Sequence, residues 1–114
     1  MSISISSRKA KGRNLQNKTK QMILEYYTEL EDGDVKPAIM GESGRDIGLS
    51  PRGEQLIPFD IECKAHEKLN VWSSMDQACR NSIPGRIPLV VFKKNYSKVY
   101  CMLEFDQLLE LIKK

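Results

Sequence analysis

Two acids and an amine are spaced as a divalent cation and a phosphate would require. Glu62 and Lys64 stand two apart in Asp60-Ile61-Glu62-Cys63-Lys64. The stretch alternates apolar and polar residues, which predicts a half-buried strand over Leu56 to Lys64. Ile57, Phe59, Ile61 and Cys63 then share the core face, and Asp60, Glu62 and Lys64 share the other. Asp46 lies sixteen residues upstream of Glu62, in Gly44-Arg45-Asp46-Ile47-Gly48. Hard oxygen donors such as Asp46 and Glu62 suit Mg²⁺, with Mn²⁺ as a substitute. The backbone carbonyl of Cys63 lies between the two side chains and is a natural extra ligand. A bound cation acidifies water, and Lys64 can orient that water or neutralise a phosphate. This is the equipment of a phosphodiesterase site. Glu-x-Lys alone reads first as an exposed ion pair worth about 0–1 kcal/mol, since the motif is too short to be specific.

The elements that position these groups follow from periodicity. An amphipathic helix is predicted from about Gly12 to Leu30, with Leu15, Met22, Ile23, Tyr26, Tyr27 and Leu30 as its apolar positions. Short strands are predicted over Val35 to Met40 and Asp46 to Leu49, with Ser50-Pro51-Arg52-Gly53 as a turn. An antiparallel hairpin of the Asp46 and Glu62 strands would bring the acids together. A second helix is predicted from Leu69 to Ser82, burying Leu69, Trp72, Met75, Cys79 and Ile83. Ile87 to Phe92 is an almost continuous apolar run and reads as a central strand. Val99 to Leu103 returns as its hairpin partner. Asp106 to Lys114 is predicted as a terminal helix with Leu108, Leu109 and Ile112 inward. The order is helix, three strands, helix, two strands, helix, an α/β arrangement.

Composition limits the alternatives. With 114 residues the chain makes one domain. No apolar run approaches a membrane span, and the start has no apolar core of a secretory signal. The expectation is a cytoplasmic protein with no membrane partner and no small-molecule cofactor. Cys63, Cys79 and Cys101 are too widely spaced for a zinc cluster with the single His66, and are expected to be reduced and core-facing. The net charge is +3, but Arg8, Lys9, Lys11, Arg13, Lys18 and Lys20 precede the first acid, Glu25. Residues 1–10 are expected to be a flexible basic arm, with the single domain over 11–114. The basic segment reads either as a set of phosphate contacts or as a solvated tail.

Taken in order, Gly44-Arg45-Asp46-Ile47, Phe59-Asp60-Ile61-Glu62-Cys63-Lys64 and Met75-Asp76-Gln77-Ala78 resemble the PD-(D/E)XK nuclease superfamily. Within it the pattern is most similar to the archaeal-type and phage-encoded Holliday junction resolvases. Lys11-Gly12-Arg13-Asn14-Leu15 resembles their basic entry into a first helix, and Ile87 to Val91 their strand of the Ile-Pro-Leu-Val-Val type. The resemblance spans about Lys9 to Ile112. It implies a restriction-endonuclease-like core, with a mixed central sheet of about five strands flanked by helices. It implies Asp46 and Glu62 as metal ligands, Lys64 as the catalytic lysine and Gln77 as a supporting residue. Gln16 takes the place of a first-helix glutamate, and Ser43 resembles a serine that approaches the substrate phosphate. The activity implied is Mg²⁺-dependent, paired cleavage of four-way DNA junctions by a homodimer, in the host cytoplasm if phage-encoded. Arg8, Lys9, Lys11 and Arg13 would track phosphates of the branched DNA, with Lys93, Lys94 and Lys98. Other readings are a repair, flap or restriction-type nuclease, and a non-catalytic nucleic-acid-binding module on the same fold.

Overall fold

The computed structural model describes residues 5–38 and 44–114. They form an α/β fold of four α-helices and five short strands in two sheets. The predicted single mixed sheet is therefore divided. Ser43 and the Gly41-Glu42 step lie outside the described residues. Among those described, no helix is long and apolar enough to cross a membrane.

Helix α1 spans Ile5–Tyr26. It begins well before Gly12, so Arg8 and Lys9 sit on its first turns. Its inward stripe is Leu15, Thr19 and Ile23, each four residues from the last, with half-buried Tyr27 just past its end; Tyr26 is exposed instead. Thr19 fits in the core because its hydroxyl donates to the Leu15 carbonyl at 2.8 Å.

The first sheet pairs β1 (Val35–Pro37) with β2 (Ile47–Leu49), antiparallel, with Val35 opposite Leu49. The predicted turn after β2 is instead a short helix, α2 (Pro51–Leu56). Ser50 caps it, accepting from the Gly53 amide at 3.0 Å, and Pro51 occupies the first turn, where its missing amide loses nothing. The Ser50 hydroxyl also donates to Asp34 Oδ1 at 2.7 Å. Gly53 is required by close approach, because a Cβ there would stand 3.0 Å from the Asp34 carbonyl oxygen. Since α2 intervenes, β2 and the following strand are not a hairpin.

The second sheet orders β3 (Phe59–Lys64), β4 (Ile87–Phe92) and β5 (Tyr100–Met102). Strands β3 and β4 are parallel, with Phe59 opposite Ile87 and Lys64 opposite Phe92. The connection between them is α3 (Val71–Asn81), capped by Asn70, whose side chain accepts from the Ser73 amide at 3.0 Å. Strand β5 returns antiparallel to β4, as predicted, and α4 (Phe105–Lys113) ends the chain. Leu15, Val35, Ile47, Ile57, Ile61 and Leu89 form the core between α1 and the sheets. Each such side chain contributes roughly 1.5–3 kcal/mol.

Strand β3 differs from its prediction in one decisive way. Ile61 and Cys63 face the α1 core as expected, but Asp60 and Glu62 are buried too, each 2% exposed. Helix α3 covers that second face. A helix packed on acids cannot present Trp72 and Met75 to them. It turns Ser74, Gln77, Ala78 and Asn81 inward, a small and polar stripe at helical spacing, and leaves Trp72, Cys79 and Ile83 exposed. The three cysteines are free, but only Cys63 is buried; Cys79 and Cys101 are exposed, against expectation.

Candidate active site

The sequence of β3 puts Glu62 and Lys64 on one face, and α3 delivers two amides to them. Asn81 Nδ2 donates to Glu62 Oε1 at 2.7 Å. Gln77 Nε2 donates to Glu62 Oε2 at 3.5 Å, while Gln77 Oε1 accepts from Lys64 Nζ at 2.6 Å. One amide thus links the carboxylate to the ammonium. Among the described residues Glu62 and Lys64 form no direct ion pair, so the exposed-salt-bridge reading does not hold.

Asp46 arrives from the N-terminal side of β2. Gly44, at φ 108°, turns the chain toward it in a conformation that a side chain would strain. The Asp46 amide donates to the Ile61 carbonyl at 3.0 Å, and its Oδ2 accepts from the Cys63 amide at 2.7 Å. These two bonds, not a hairpin ladder, place Asp46 beside β3. The register also locates the Cys63 carbonyl. The Pro58 and Lys64 carbonyls accept from Ile87 and Lys93, so even-numbered residues point toward β4. Cys63 points the other way, and its carbonyl shares an edge with its amide, on the Asp46 side.

The electrostatics of Glu62 are unusual. Burial is the largest cause raising its pKa. Asn81 opposes this, Asp46 adds to it by like charge and by a hydrogen bond, and the Lys64 charge opposes it. The carboxyl is pushed up from 4.5 to about 7. Two acids crowded at one point, with amides as their nearest partners, form a site that a divalent cation would balance. Among the described residues no three His, Cys, Asp or Glu side chains converge as a metal cluster. The oxygen donors brought together are Asp46, Glu62 and the Cys63 carbonyl, and their hardness suits Mg²⁺ or Mn²⁺.

Asp60 is not the solvated acid its face suggested. Its Oδ1 accepts from Arg86 Nε at 2.7 Å and Arg45 Nη1 at 3.0 Å. Its Oδ2 accepts from the Ile83 amide at 2.8 Å and the Ser82 hydroxyl at 3.0 Å. Burial pushes this carboxyl up, but the Ile83 amide, Arg86, Arg45 and Ser82 together hold it below 3.8. Arg86 also donates to the Ile57 and Phe59 carbonyls at 2.6 and 2.9 Å. The cluster ties α2, β3 and the end of α3 together, and sets Arg45 next to Asp46.

The basic residues gather past the C-terminal end of β3. A cleft of about 320 Å³ is lined by Lys11, Asn14, Lys18, Ala65, Lys93 and Lys94, among others. Its acid, Glu67, already accepts from the Asn95 amide at 2.7 Å. Burial, then the charges of Lys64 and Arg8, lower the pKa of His66, so Arg8 stands on the same side. Lys9 and Arg13 are exposed on α1 and do not line the cleft. Gln16 is half-buried on α1 and makes no hydrogen bond to Asp46, Glu62 or Lys64. Of the site residues missed, Asn81 had a signal: it follows Gln77 by four positions, on the same helical face. Lys18, already named in the basic segment, follows Lys11 by seven and lines the cleft with it. Arg86 had none, since only the fold brings it to Asp60.

The chain matches no protein-family model, no curated protein and no solved structure.

Proposed function

We propose that the chain is a divalent-metal-dependent DNA endonuclease of the PD-(D/E)XK type, acting on four-way junctions as a homodimer. The observation that supports this reading is the approach of Asp46 to Glu62, which Gln77 links to Lys64, beside a cleft lined by four lysines. Asp46, Glu62 and the Cys63 carbonyl would hold the cation. When bound, it supplies positive charge and a more acidic water.

The chain's own residues account for the rest. Lys64 presents its ammonium to the phosphate, where negative charge grows in the transition state. Gln77 fixes that ammonium and the Glu62 carboxylate relative to each other, so little reorganisation accompanies reaction. Asn81 holds the second Glu62 oxygen. Lys11, Lys18, Lys93 and Lys94 bind flanking phosphates, displacing counterions without reading bases. Arg8 extends that positive surface, with Lys9, Arg13 and Lys98 as outer contacts. The net chemistry is hydrolysis: water adds to phosphorus, one P–O ester bond breaks, and the departing oxygen takes a proton. Gln16 keeps its suggested place near a water of the site within this proposal.

The test is a synthetic four-way junction beside a linear duplex, in Mg²⁺ and then Mn²⁺. Paired nicks in the junction alone, lost in Lys64→Ala, are expected. Equal cutting of both DNAs would replace the junction assignment with a repair, flap or restriction-type nuclease. Tight binding with no cutting in either metal would leave a non-catalytic nucleic-acid-binding module.

A further inference from the structure

Helix α4 faces the wrong way for an element that only covers its own chain. Gln107 and Leu111 are its half-buried positions, while Phe105 and Ile112 are 71% and 70% exposed and Leu109 is also exposed. No residue of α4 is buried. A nine-residue helix has marginal stability in water unless its apolar stripe is covered, since isolated helices below about 12–15 residues rarely persist. Phe105, Leu108, Leu109 and Ile112 follow the helical repeat, so the stripe is continuous. It continues onto α3, because Cys79 Sγ lies 3.8 Å from Glu104 Oε1 at the start of α4. Trp72, one heptad before Cys79 on the same face, is 81% exposed.

We infer that this face docks a second copy of the chain, through α4 packed antiparallel to α4 of the partner subunit about a twofold axis. Charge identifies the occupant. Asp106 lies in the first turn of α4 and Lys113 in the last. Seven residues apart, they flank the stripe on one side. A twofold antiparallel pair therefore sets Asp106 against Lys113 of the partner subunit, twice, while Phe105 meets the Ile112 of the partner subunit. A parallel pair about a twofold axis would leave these same-side charges unpaired. The area is sufficient in kind. A stable pair needs about 800 Å² from each side. Two rings burying roughly 150–250 Å² each, with the aliphatic side chains of α4 around them, approach that. Symmetric junction cutting rests on the nuclease reading and needs such a pair; the docking surface itself rests on exposure and charge alone.

The full chain is examined by sedimentation equilibrium, without DNA or metal, across micromolar concentrations. A dimer mass is expected for the wild type. Ile112→Asp should sediment as a monomer, and should unfold as the wild type does once both are dilute enough to be monomeric, because the residue it alters is exposed on the single chain. Asp106→Lys should weaken association about tenfold or more, and Asp106→Lys combined with Lys113→Asp should restore it. A wild type that stays monomeric, or a dimer unmoved by Ile112→Asp, overturns the proposal. A dimer weakened by the single charge change but not rescued by the double overturns the antiparallel twofold. A dimer that cuts no DNA refutes the nuclease reading and leaves this surface standing; a monomer that cuts junctions does the reverse.

Discussion

Asp60 and Glu62 are two residues apart on one strand face, equally buried, and opposite in character. Asp60 is compensated by two guanidinium groups, a hydroxyl and a backbone amide. Its charge is stabilised and its role is mechanical, joining α2, β3 and the end of α3. Glu62 is met by two neutral amides and by a second acid, with its lysine engaged on Gln77. Its charge is left uncompensated by the fold. A protein that could place two arginines on one acid had the means to neutralise the other. Burial alone therefore does not separate a clamp from a site; the charge of the partners does.

Substitution should break the two acids apart most sharply. Asp60→Ala is expected to destabilise by about 3–5 kcal/mol, because it removes the acid of Arg86 and one of the two acids of Arg45 from a buried cluster. Chemical denaturation reads this, and a loss below about 1 kcal/mol would remove the clamp assignment. Glu62→Gln should leave folding intact, or firmer, while reducing cleavage by about 10²–10³-fold. A variant that both folds and cuts normally would sink the metal-ligand role.

Acidity should separate them in opposite directions. Folded Glu62 holds its proton up to about 7, against 4.5 when free, so the folded state binds more protons across that window. Its contribution is complete below 4.5 and declines as pH rises toward 7, on the order of a few kcal/mol in metal-free buffer. Asp60 behaves inversely. With its pKa held below 3.8, its contribution is complete above that value and disappears as pH falls through the lowered one. Melting curves from pH 3 to 8 should show both limbs. Glu62→Gln should erase only the upper one, and saturating Mg²⁺ should raise the melting temperature most at the alkaline end, by RT ln(1 + [L]/Kd).

The smallest contrast concerns the two faces of α3. Ala78 is 1% exposed against the sheet, so Ala78→Leu should overpack it and lose about 1–3 kcal/mol. Trp72→Ser, on the outer face, should change unfolding of the dilute protein by less than about 0.5 kcal/mol. Equal effects would mean that the helix is rotated from the orientation described.

Much of the frame was legible in the chain. The apolar run Ile87 to Phe92 became β4 with the same bounds, and β5 and α4 followed within a residue or two. Period-two alternation marked β3 and kept Glu62 and Lys64 on one face, because side-chain direction in a strand depends only on position parity. Gln77 was named and meets both. What the sequence left open was which elements cover which faces. Polar side chains on β3 suggested solvent, yet α3 lies there, and it turned its own apolar stripe outward because a polar surface takes a polar partner. The insertion of α2 removed the expected hairpin, so Asp46 reaches Cys63 through two hydrogen bonds instead. Arg86 and Asn81 meet their acids across 26 and 19 residues of chain. Local periodicity carries no information over such separations, and only chain closure around a shared core brings those groups into contact.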